Sequence, residues 1–315
     1  MEQKTCLVAG GAGFIGSHLC EALVREQYEV ICLDNFITGD EKNLKGIGEI
    51  KVIKADVTDE KTVLELPKVD YIFHLASPAS PVDYGNYPEE TALANSLGTI
   101  NLLKLAKRDK AKFLFTSTSE IYGDPLEHPQ KESYWGNVNP VGVRSCYDEA
   151  KRYGEMITMV YIRKYGIDAR IIRIFNTYGP KMQKDDGRVI SNFINQALEG
   201  KDLTIYGDGN QTRSFCYVLD MVEGVKAAMF FDNTQGEIIN LGNPEERTIK
   251  QIAELIKNKI NPEKKLIYEP LPSDDPRKRK PDISKAKQRL HWEPKISLDD
   301  GLKKTIEYFT ILRPA

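Results

Sequence analysis

The sequence lacks the features that mark several classes of protein. No apolar run approaches the roughly 20 residues that a membrane-spanning helix needs, so we expect no association with a membrane. The formal net charge is −2, and no excess of positive charge suggests binding to nucleic acid. The amino terminus leads directly into a strand-like run at Thr5, so we expect no signal peptide.

Cysteine and histidine are scarce and scattered. The five cysteines include no Cys-x-x-Cys pair, which favours a reduced cytoplasmic protein over a disulfide framework or a zinc site. The four histidines show no metal-ligand spacing, and we expect no bound metal. The 315 residues, 41% of them hydrophobic and 29% charged, are enough for a large core and two lobes.

Short apolar runs alternate with helical patterns through the first half of the chain. Strands rich in β-branched residues that alternate with helices predict a parallel sheet covered on both faces, a doubly wound α/β fold of the Rossmann type. The predicted strands are Thr5–Ala9, Glu29–Leu33, Lys51–Lys54, Tyr71–Leu75, Lys112–Thr116 and Ala169–Ile174. The predicted helices are Phe14–Gln27, Glu89–Lys107 and Ser145–Tyr165.

The pattern changes after Asn176, where the loops lengthen and glycine and proline cluster. We interpret residues 1–175 as a first domain and residues 176–315 as a smaller carboxy-terminal lobe. A helical pattern at Val218–Phe231 and a strand pattern at Gly236–Asn240 indicate a return to the first domain, so we assign about 217–243 to it. The first domain is therefore predicted to consist of two separate segments of the chain.

The turn between the first strand and the first helix has the sequence GGAGFIG at residues 10–16. Its glycines let the backbone turn tightly and approach a pyrophosphate, which then lies on the amino terminus of the helix. We therefore expect Gly10, Gly13, Phe14, Ile15 and Gly16 to bind a dinucleotide. The alternative is a glycine-rich turn without a ligand, and the strand–turn–helix context favours the dinucleotide.

Further polar residues follow the next strands. The carboxylate of Asp34 can accept hydrogen bonds from ribose hydroxyls and would repel a 2′-phosphate, which favours NAD over NADP. The alternative for Asp34 is an aspartate that only caps a turn. The carboxyl ends of parallel strands lie at one edge of the sheet, where ligands bind. The cofactor ligands predicted from these strand ends are Asp34, Asn35, Asp56, Val57, Leu75 and Ala76.

Tyr147 and Lys151 lie four residues apart in a predicted helix and so share one of its faces. Because an ammonium group stabilises a phenolate, we expect Lys151 to lower the pKa of Tyr147 from its ordinary value of about 10 towards neutrality. Such a tyrosine can take a proton from an alcohol and later return it. The pair alone is a weak signal, since Y-x-x-x-K arises by chance in many surface helices.

Taken together, these motifs resemble those of the extended short-chain dehydrogenase/reductases, whose members modify nucleotide sugars. The glycine turn, the Ser/Thr-rich strand end at 116–119 and the Y-x-x-x-K pair carry the resemblance. It implies that Thr118 polarises the substrate oxygen and that Tyr147 is the acid/base. It also implies that Lys151 lowers the tyrosine pKa and holds the nicotinamide ribose, and that the first domain binds NAD.

Longer segments resemble the UDP-glucuronic acid decarboxylase branch of that family. They are HLASPASPVDY (74–84), STSEIYGDPLEHPQ (117–130), YWGNVNP (134–140), RSCYDEAK (144–151), RIFNTYGPKM (173–182), DDGRVISNF (185–193), YGDGNQTRSFCYV (206–218) and DDPRKRKPDIS (274–284). Related 4,6-dehydratases carry an Asp-Glu pair where this chain has Ser119-Glu120. The missing aspartate is the acid that expels a C6 hydroxyl, and a substrate whose C6 is a carboxylate has no need of it.

The resemblance implies decarboxylation of UDP-glucuronate to UDP-xylose through a 4-keto intermediate, with internal recycling of tightly bound NAD. Glu120 is expected near C5 or C6, and a purely structural acceptor is the alternative for it. A homodimer that pairs the helices Glu89–Lys107 and Ser145–Tyr165 is also implied. The open alternatives are a UDP-glucuronate or UDP-glucose 4-epimerase, a decarboxylase that releases a 4-keto pentose, and an NAD-sensing module without catalysis.

The nucleotide sugar is expected to bind in the second lobe, where arginine forks can bond phosphate and carboxylate. A solvated face is the alternative for the basic run at 277–280, although the flanking prolines favour a fixed loop. The predicted substrate ligands are Tyr84, Asn95, Asn176, Arg188, Tyr206, Gln211, Arg213, Arg277 and Arg279. The predicted catalytic residues are Thr118, Ser119, Glu120, Tyr147 and Lys151.

Overall fold

The structure is a computed structural model that describes residues 3–270 and 278–312, and it contains the strands given next. They are β1 (Thr5–Ala9), β2 (Glu29–Asp34), β3 (Lys51–Lys54), β4 (Tyr71–His74), β5 (Lys112–Thr118), β6 (Ala169–Ile174), β7 (Thr177–Tyr178), β8 (Leu203–Tyr206), β9 (Thr212–Ser214), β10 (Cys216–Tyr217), β11 (Ile238–Leu241), β12 (Glu246–Thr248), β13 (Leu266–Glu269) and β14 (Lys278–Arg279).

The α-helices are α1 (Phe14–Arg25), α2 (Glu60–Leu64), α3 (Pro81–Asn86), α4 (Pro88–Leu93), α5 (Thr99–Asp109), α6 (Ser145–Tyr165), α7 (Val189–Leu198), α8 (Val218–Phe230), α9 (Ile249–Ile260), α10 (Ser284–Leu290) and α11 (Leu298–Ile311). Short 3₁₀ turns cover Glu41–Leu44 and Ser119–Tyr122, and a π turn covers Ala94–Gly98. No helix within the described ranges is both long and apolar enough to cross a bilayer.

Seven of the described strands form one parallel sheet in the order β11-β6-β5-β4-β1-β2-β3. This order, with helices on both faces, confirms the predicted Rossmann-type fold. The predicted bounds agree with β1, β3, β6 and α6 at both ends, and the other predicted strands differ by one or two residues.

Side chains alternate between the two faces of the sheet, as the pleat requires. In β1, Cys6 and Val8 join a cluster with α1, α8 and α10, whereas Leu7 and Ala9 join a cluster with α2, α5 and α6. Both faces are therefore buried, which explains why the strand sequences are continuously apolar.

The carboxy-terminal lobe has its own apolar cluster, formed by α7, α9, α11 and β8. Within it β9 pairs antiparallel with β12 and parallel with β14, and β13 pairs with β8. Between these elements the chain returns to the large sheet, because β11 pairs with β6 and α8 packs against the same sheet. The assignment of residues 1–175 and about 217–243 to one domain stays a prediction.

The helix predicted at Glu89–Lys107 is interrupted. It begins as α4, widens into the π turn and continues as α5. Within this stretch Asn95 Nδ2 donates to Thr91 O at 2.8 Å and Thr99 Oγ1 donates to Asn95 O at 2.7 Å. These side chains compete with the backbone for carbonyl groups, which is a recognised cause of local helix distortion.

Helix α6 packs closely on β5 through a glycine. A Cβ at Gly154 would lie 2.2 Å from Cζ of the buried Phe115. We predict that Gly154→Ala lowers the free energy of unfolding by about 1–3 kcal/mol, because overpacking outweighs the gain in helix propensity. Urea denaturation measures this change. The control is Gly85→Ala in α3, where a Cβ meets nothing within 4 Å and no loss is expected. Equal stabilities for the two variants would contradict the prediction.

Candidate functional site

Two joined cavities run along the carboxyl edge of the parallel sheet. The larger has a volume of about 570 Å³, and the smaller about 60 Å³. Gly10, Gly13 and Leu75 line both cavities, so they form one continuous cleft. This position agrees with the general rule that ligands of open α/β sheets bind outside the carboxyl ends of the strands.

The glycine turn brings backbone segments closer together than side chains would permit. Gly10 has φ +81°, and a Cβ there would lie 2.6 Å from Ala76 N. A Cβ on Gly16 would lie 2.0 Å from Gly10 O. Helix α1 follows with no side-chain cap and no acidic residue in its first turn. Its first N–H groups and its dipole therefore offer an anion site to the cavity lined by Phe14, Ile15 and Gly16.

The smaller cavity gathers the predicted residues from the strand ends. Asp34 accepts hydrogen bonds from the N–H groups of Ala12 at 2.9 Å and Phe36 at 2.8 Å. Asn35 Nδ2 donates to Asp56 Oδ2 at 2.7 Å. The predicted residues that line this cavity are Gly10, Gly13, Asp34, Asn35, Asp56, Val57, Leu75 and Ala76. With the uncapped helix and the glycine cradle beside it, the cleft fits a dinucleotide.

The predicted proton-transfer residues meet in the wall of the larger cavity. Thr118 ends β5 and caps the 3₁₀ turn, with its Oγ1 accepting from Glu120 N at 3.2 Å. The hydroxyl of Tyr147 lies close to the side chain of Thr118. On the other side of the phenol, the ring of Tyr84 stacks on Tyr147 with centroids 5.2 Å apart. Ser119 lines the same cavity.

The expected effect of Lys151 on Tyr147 is corrected by the structure. Burial, followed by the negative charge of Glu120, raises the pKa of Tyr147, and the side chain of Thr118 only partly opposes this. The Nζ of Lys151 lies 5.7 Å from the centroid of the tyrosine ring and donates to Thr116 O at 2.8 Å. Burial lowers the pKa of Lys151 to about 7, so the lysine is itself only partly charged at neutral pH.

Glu120 lies between two guanidinium groups. Arg144 forms a short hydrogen-bonded ion pair with one carboxylate oxygen, and Arg279 Nη1 lies 3.3 Å from the other. Burial raises the pKa of Glu120, but the charges of the two arginines outweigh it and bring the pKa down to about 2. The carboxyl of Asp148 lies close to that of Glu120, and the two groups influence each other's pKa. Glu120 is therefore an ionised group held in a fixed orientation.

Two of the predicted substrate ligands line the larger cavity. Asn176 follows β6, and its Nδ2 is buried without a hydrogen-bond partner in the described part of the chain. Arg188 lies at the start of α7 and donates to Ala79 O at 3.2 Å. The amide of Asn176 and the guanidinium of Arg188 line the same cavity as the start of α1. Together they form a wall suited to a diphosphate.

The other predicted substrate ligands lie away from that lining. Tyr84 packs on Tyr147, and the buried Asn95 donates to Ser77 Oγ at 2.7 Å. Tyr206 is exposed and its carbonyl accepts from Gln211 Nε2 at 2.6 Å. Arg213 is buried on β9, beside Arg279 of β14. Arg277 lies outside the described residues. For these residues, contact with the substrate stays a prediction.

Arg144 and Asp148 are functional-site residues that the sequence analysis missed. Both lie in the segment 144–151, on which the resemblance partly rested. Residues 147, 148 and 151 follow residue 144 by three, four and seven positions, so all four share one helical face. A charged residue on the buried face of a helix needs a partner of opposite charge or a proton, and that rule would have pointed to both side chains.

Comparison with known proteins identifies the family. Residues 6–242 match the model of the NAD dependent epimerase/dehydratase family. The chain belongs to this family. Among curated proteins, it is 54% identical to UDP-glucuronic acid decarboxylase 1 of Arabidopsis thaliana, over 96% of this chain and 69% of that protein. It is 48% identical to UDP-glucuronic acid decarboxylase 1 of Danio rerio, over 98% of this chain and 73% of that one.

A solved structure extends the comparison to a bound complex. UDP-glucuronic acid 4-epimerase from Bacillus cereus, in complex with UDP-glucuronic acid and NAD, is 32% identical and superposes with a TM-score of 0.87. The match covers 98% of this chain and 100% of the epimerase chain. No cluster of three or more histidine, cysteine or acidic side chains suited to a metal ion occurs in the described residues.

The glycine turn generates a test of dinucleotide binding. Gly13 has φ −74°, which alanine also adopts, and a Cβ there would approach Gly10 O to 3.3 Å. We predict that Gly13→Ala leaves the melting temperature within a few degrees of wild type but weakens NAD binding by about tenfold, because the methyl group occupies the pyrophosphate position. Calorimetric titration with NAD measures the affinity. Gly85→Ala serves as the control, and unchanged affinity for Gly13→Ala would contradict the assignment.

Proposed function

We propose that the protein is an NAD-dependent decarboxylase that converts UDP-glucuronate to UDP-xylose through a transient C4 ketone. The observation that carries the proposal is the constellation in the larger cavity. Thr118, Tyr147 and Glu120 stand beside the dinucleotide cleft, in a chain 54% identical to a UDP-glucuronic acid decarboxylase. A hydroxyl oxidation and the departure of a neighbouring carboxylate can then occur in one place.

The cofactor is held by the first domain, for which we propose residues 1–175 together with about 217–243. The uncapped start of α1 and the glycine turn hold the pyrophosphate, and Asp34 bonds the adenosine ribose. Lys151, whose ammonium lies between the rings of Tyr147 and Phe115, holds the nicotinamide ribose. When bound, NAD supplies the acceptor and later the donor of a hydride at C4 of the sugar.

Tyr147 accepts the proton of the C4 hydroxyl and later returns it. In the free protein burial raises the pKa of Tyr147, so the phenol is neutral at pH 7. Its role as a base therefore requires that this pKa fall when a cationic nicotinamide and the substrate fill the cavity. Because Tyr147 and Thr118 lie close together in the cavity wall, both hydroxyl groups can bond one substrate oxygen. Tyr147 then returns the same proton when the ketone is reduced.

The C4 ketone makes the C6 carboxylate a β-keto acid. Loss of CO₂ leaves an electron pair that delocalises into an enolate, and its charge develops on the C4 oxygen. Thr118 and Tyr147 can donate hydrogen bonds to that oxygen, which stabilises the transition state. Glu120, fixed by Arg144 and Arg279 in the wall of the larger cavity, is proposed to lie near C5 and C6 and to take part in the protonation of C5.

The diphosphate is proposed to lie between the start of α7 and the end of β6. Arg188 and the unpartnered Nδ2 of Asn176 supply donors there. For the uridine we keep Tyr206, Gln211 and Arg213, and for the sugar carboxylate Arg277 and Arg279, as proposed contacts. Because the first three lie outside the cavity lining, contact with the uridine requires the second lobe to close over the ligand.

The product of the reaction tests the proposal. Incubation with UDP-glucuronate and NAD should release CO₂ and give UDP-xylose, observed by NMR. UDP-galacturonate without CO₂ would identify an epimerase instead, and a released 4-keto pentose would identify incomplete turnover. No reaction at all would favour an NAD-sensing module.

Substitutions of Tyr147 and Thr118 test the roles of their hydroxyl groups. Tyr147→Phe should reduce the rate by roughly 10²–10⁴-fold because it removes the acid/base. Thr118→Val should reduce the rate less, because Tyr147 still reaches the oxygen. The matched control is Tyr153→Phe, a tyrosine on the same helix outside the cavity lining, which should keep the wild-type rate. Full activity in Tyr147→Phe would remove the phenol from the mechanism.

We further propose a homodimer formed through α4, the π turn and α6. Leu93 and Leu97, four residues apart on one face, and Met156 on α6 are 41%, 39% and 47% exposed. Exposed apolar side chains on neighbouring helices suit a subunit interface. Light scattering should give twice the chain mass for the wild type and a monomer for Leu97→Glu with Met156→Glu. Leu126→Glu, on an exposed loop residue, should remain a dimer. A monomeric wild type would contradict the proposal.

A further inference from the structure

Decarboxylation consumes a proton from solvent, a requirement that rests on the proposed function. When a carboxylate leaves as CO₂, the carbon takes one proton: R–COO⁻ + H⁺ → R–H + CO₂. The proton that Tyr147 removes from the C4 hydroxyl is not available for this, because it returns to the C4 oxygen when the ketone is reduced. Each turnover therefore needs one further proton, delivered to C5 in a site lined by buried side chains.

A further cavity, the rear cavity, is lined by Asp148 and by the two arginines that hold Glu120. Its volume is about 70 Å³, enough for a water molecule, and it is separate from the dinucleotide cleft. Arg144, Asp148 and Arg279 form its inner wall. Its outer wall is made of loop residues Gly123, Asp124, Asn137, Asn139 and Gly142, of which Asp124, Asn137 and Asn139 are exposed. The cavity thus connects exposed loop residues with the buried side chains around Glu120.

Asp148 connects this cavity to Glu120. Its side chain is buried, its carboxyl lies close to that of Glu120, and it lines the rear cavity. Its Oδ1 and the Nε of Arg279 are buried polar atoms with no hydrogen-bond partner among the described residues. Buried polar atoms are normally satisfied, so two of them at one small polar cavity indicate water that bridges them. Glu120 alone of the two carboxyls lines the substrate cavity.

We propose that Asp148 is a proton-holding positioning residue that takes a proton from water in the rear cavity and supplies it through Glu120 to C5 of the substrate. The Asp148 O–H bond breaks as a proton bonds to the Glu120 carboxylate, and the Glu120 O–H bond breaks as the C5–H bond forms. Asp148 then takes its next proton from the rear cavity. One solvent proton enters for each CO₂ that leaves, and no oxidant or reductant is needed.

The charges around the carboxyl pair suit it to hold one proton. Burial, followed by the negative charge of Glu120, raises the pKa of Asp148 to about 8, against the lowering effect of Arg144 and Arg279. At neutral pH the pair therefore holds a single proton between its two carboxyls. The other titratable groups that face Asp148 are Tyr84 from α3, Cys146 and Tyr147 from its own helix, and Asp124 across the cavity.

Asp148→Asn tests the relay, because the amide keeps the shape of the side chain but cannot hold an acidic proton. We expect the affinity for UDP-glucuronate to change little and the rate of CO₂ release to fall roughly a hundredfold. In the wild type the proton-bearing form is the active one, so the rate should fall as the pH rises through about 8. That decline should be absent in Asp148→Asn and present in Asp148→Glu. The matched control is Glu149→Gln, the next residue on α6, which pairs with Arg152 at 3.5 Å.

Two measurements on the ligand-free protein report the proton independently of activity. Infrared difference spectra should show a protonated carboxyl band at pH 7 that disappears above pH 9 and is missing in Asp148→Asn. The stability of the fold should also respond. Because its pKa is raised, folded Asp148 binds a proton that the unfolded chain has released between pH 3.8 and about 8, so stability falls as the pH rises through that window. The Asp148→Asn variant should lose this pH-dependent contribution to the free energy of unfolding.

The outcomes separate the relay from the proposed function. If the wild type releases no CO₂ from UDP-glucuronate, the proposed function fails, whatever the infrared band shows. If the wild type releases CO₂ while Asp148→Asn keeps the same rate and the same alkaline decline, the relay is overturned. A lower rate with an unchanged alkaline decline and no infrared difference also overturns it, because Asp148 would then only support the fold. Loss of the band and of the decline together supports the relay.

Discussion

The carboxyl edge of the parallel sheet is the constraint on which the rest of the site depends. Strands β1, β2, β4, β5 and β6 all end there. The glycine turn, Asp34 and Thr118 therefore lie at the same edge although they are far apart in the sequence. Helix α6 then packs on β5 through Gly154 and sets Tyr147 against Thr118. A dinucleotide cleft and a pair of hydroxyl groups are thereby brought to one place, which is what oxidation of an alcohol requires.

Burial and charge oppose each other within this site. Desolvation raises the pKa of Tyr147 and lowers that of Lys151 to about 7, so in the free protein the phenol is neutral and the lysine is only partly charged. Around Glu120 the balance is reversed, because Arg144 and Arg279 keep that carboxylate ionised despite its burial. Burial, followed by the negative charge of Glu120, raises the pKa of Asp148. The free site thus keeps one proton on the phenol and one on the carboxyl pair.

Sequence patterns were sufficient for the strands of the sheet, the glycine turn and the shared helical face of Tyr147 and Lys151, because each depends on local spacing. The role expected of Thr118 came from the family resemblance, since its approach to Tyr147 joins β5 to α6. Sequence patterns were not sufficient for the pairing of Glu120 with Arg144 and Arg279, which joins a 3₁₀ turn, a helix start and β14. The sign of the pKa shift at Tyr147 was predicted wrongly, since spacing reports the neighbouring lysine and not the degree of burial. The π turn also escaped prediction, because it depends on how Asn95 and Thr99 bond the backbone.

The central claim is that a C4 ketone forms and is reduced again within one turnover while C5 takes a solvent proton. The most direct measurement is the fate of deuterium, followed by NMR of the pentose product. With UDP-glucuronate deuterated at C4 in ordinary water, the account predicts that the label remains at C4. With unlabelled substrate in D₂O, it predicts one deuterium at C5 and none at C4. Loss of the C4 label, or a product from D₂O without deuterium at C5, would contradict the account.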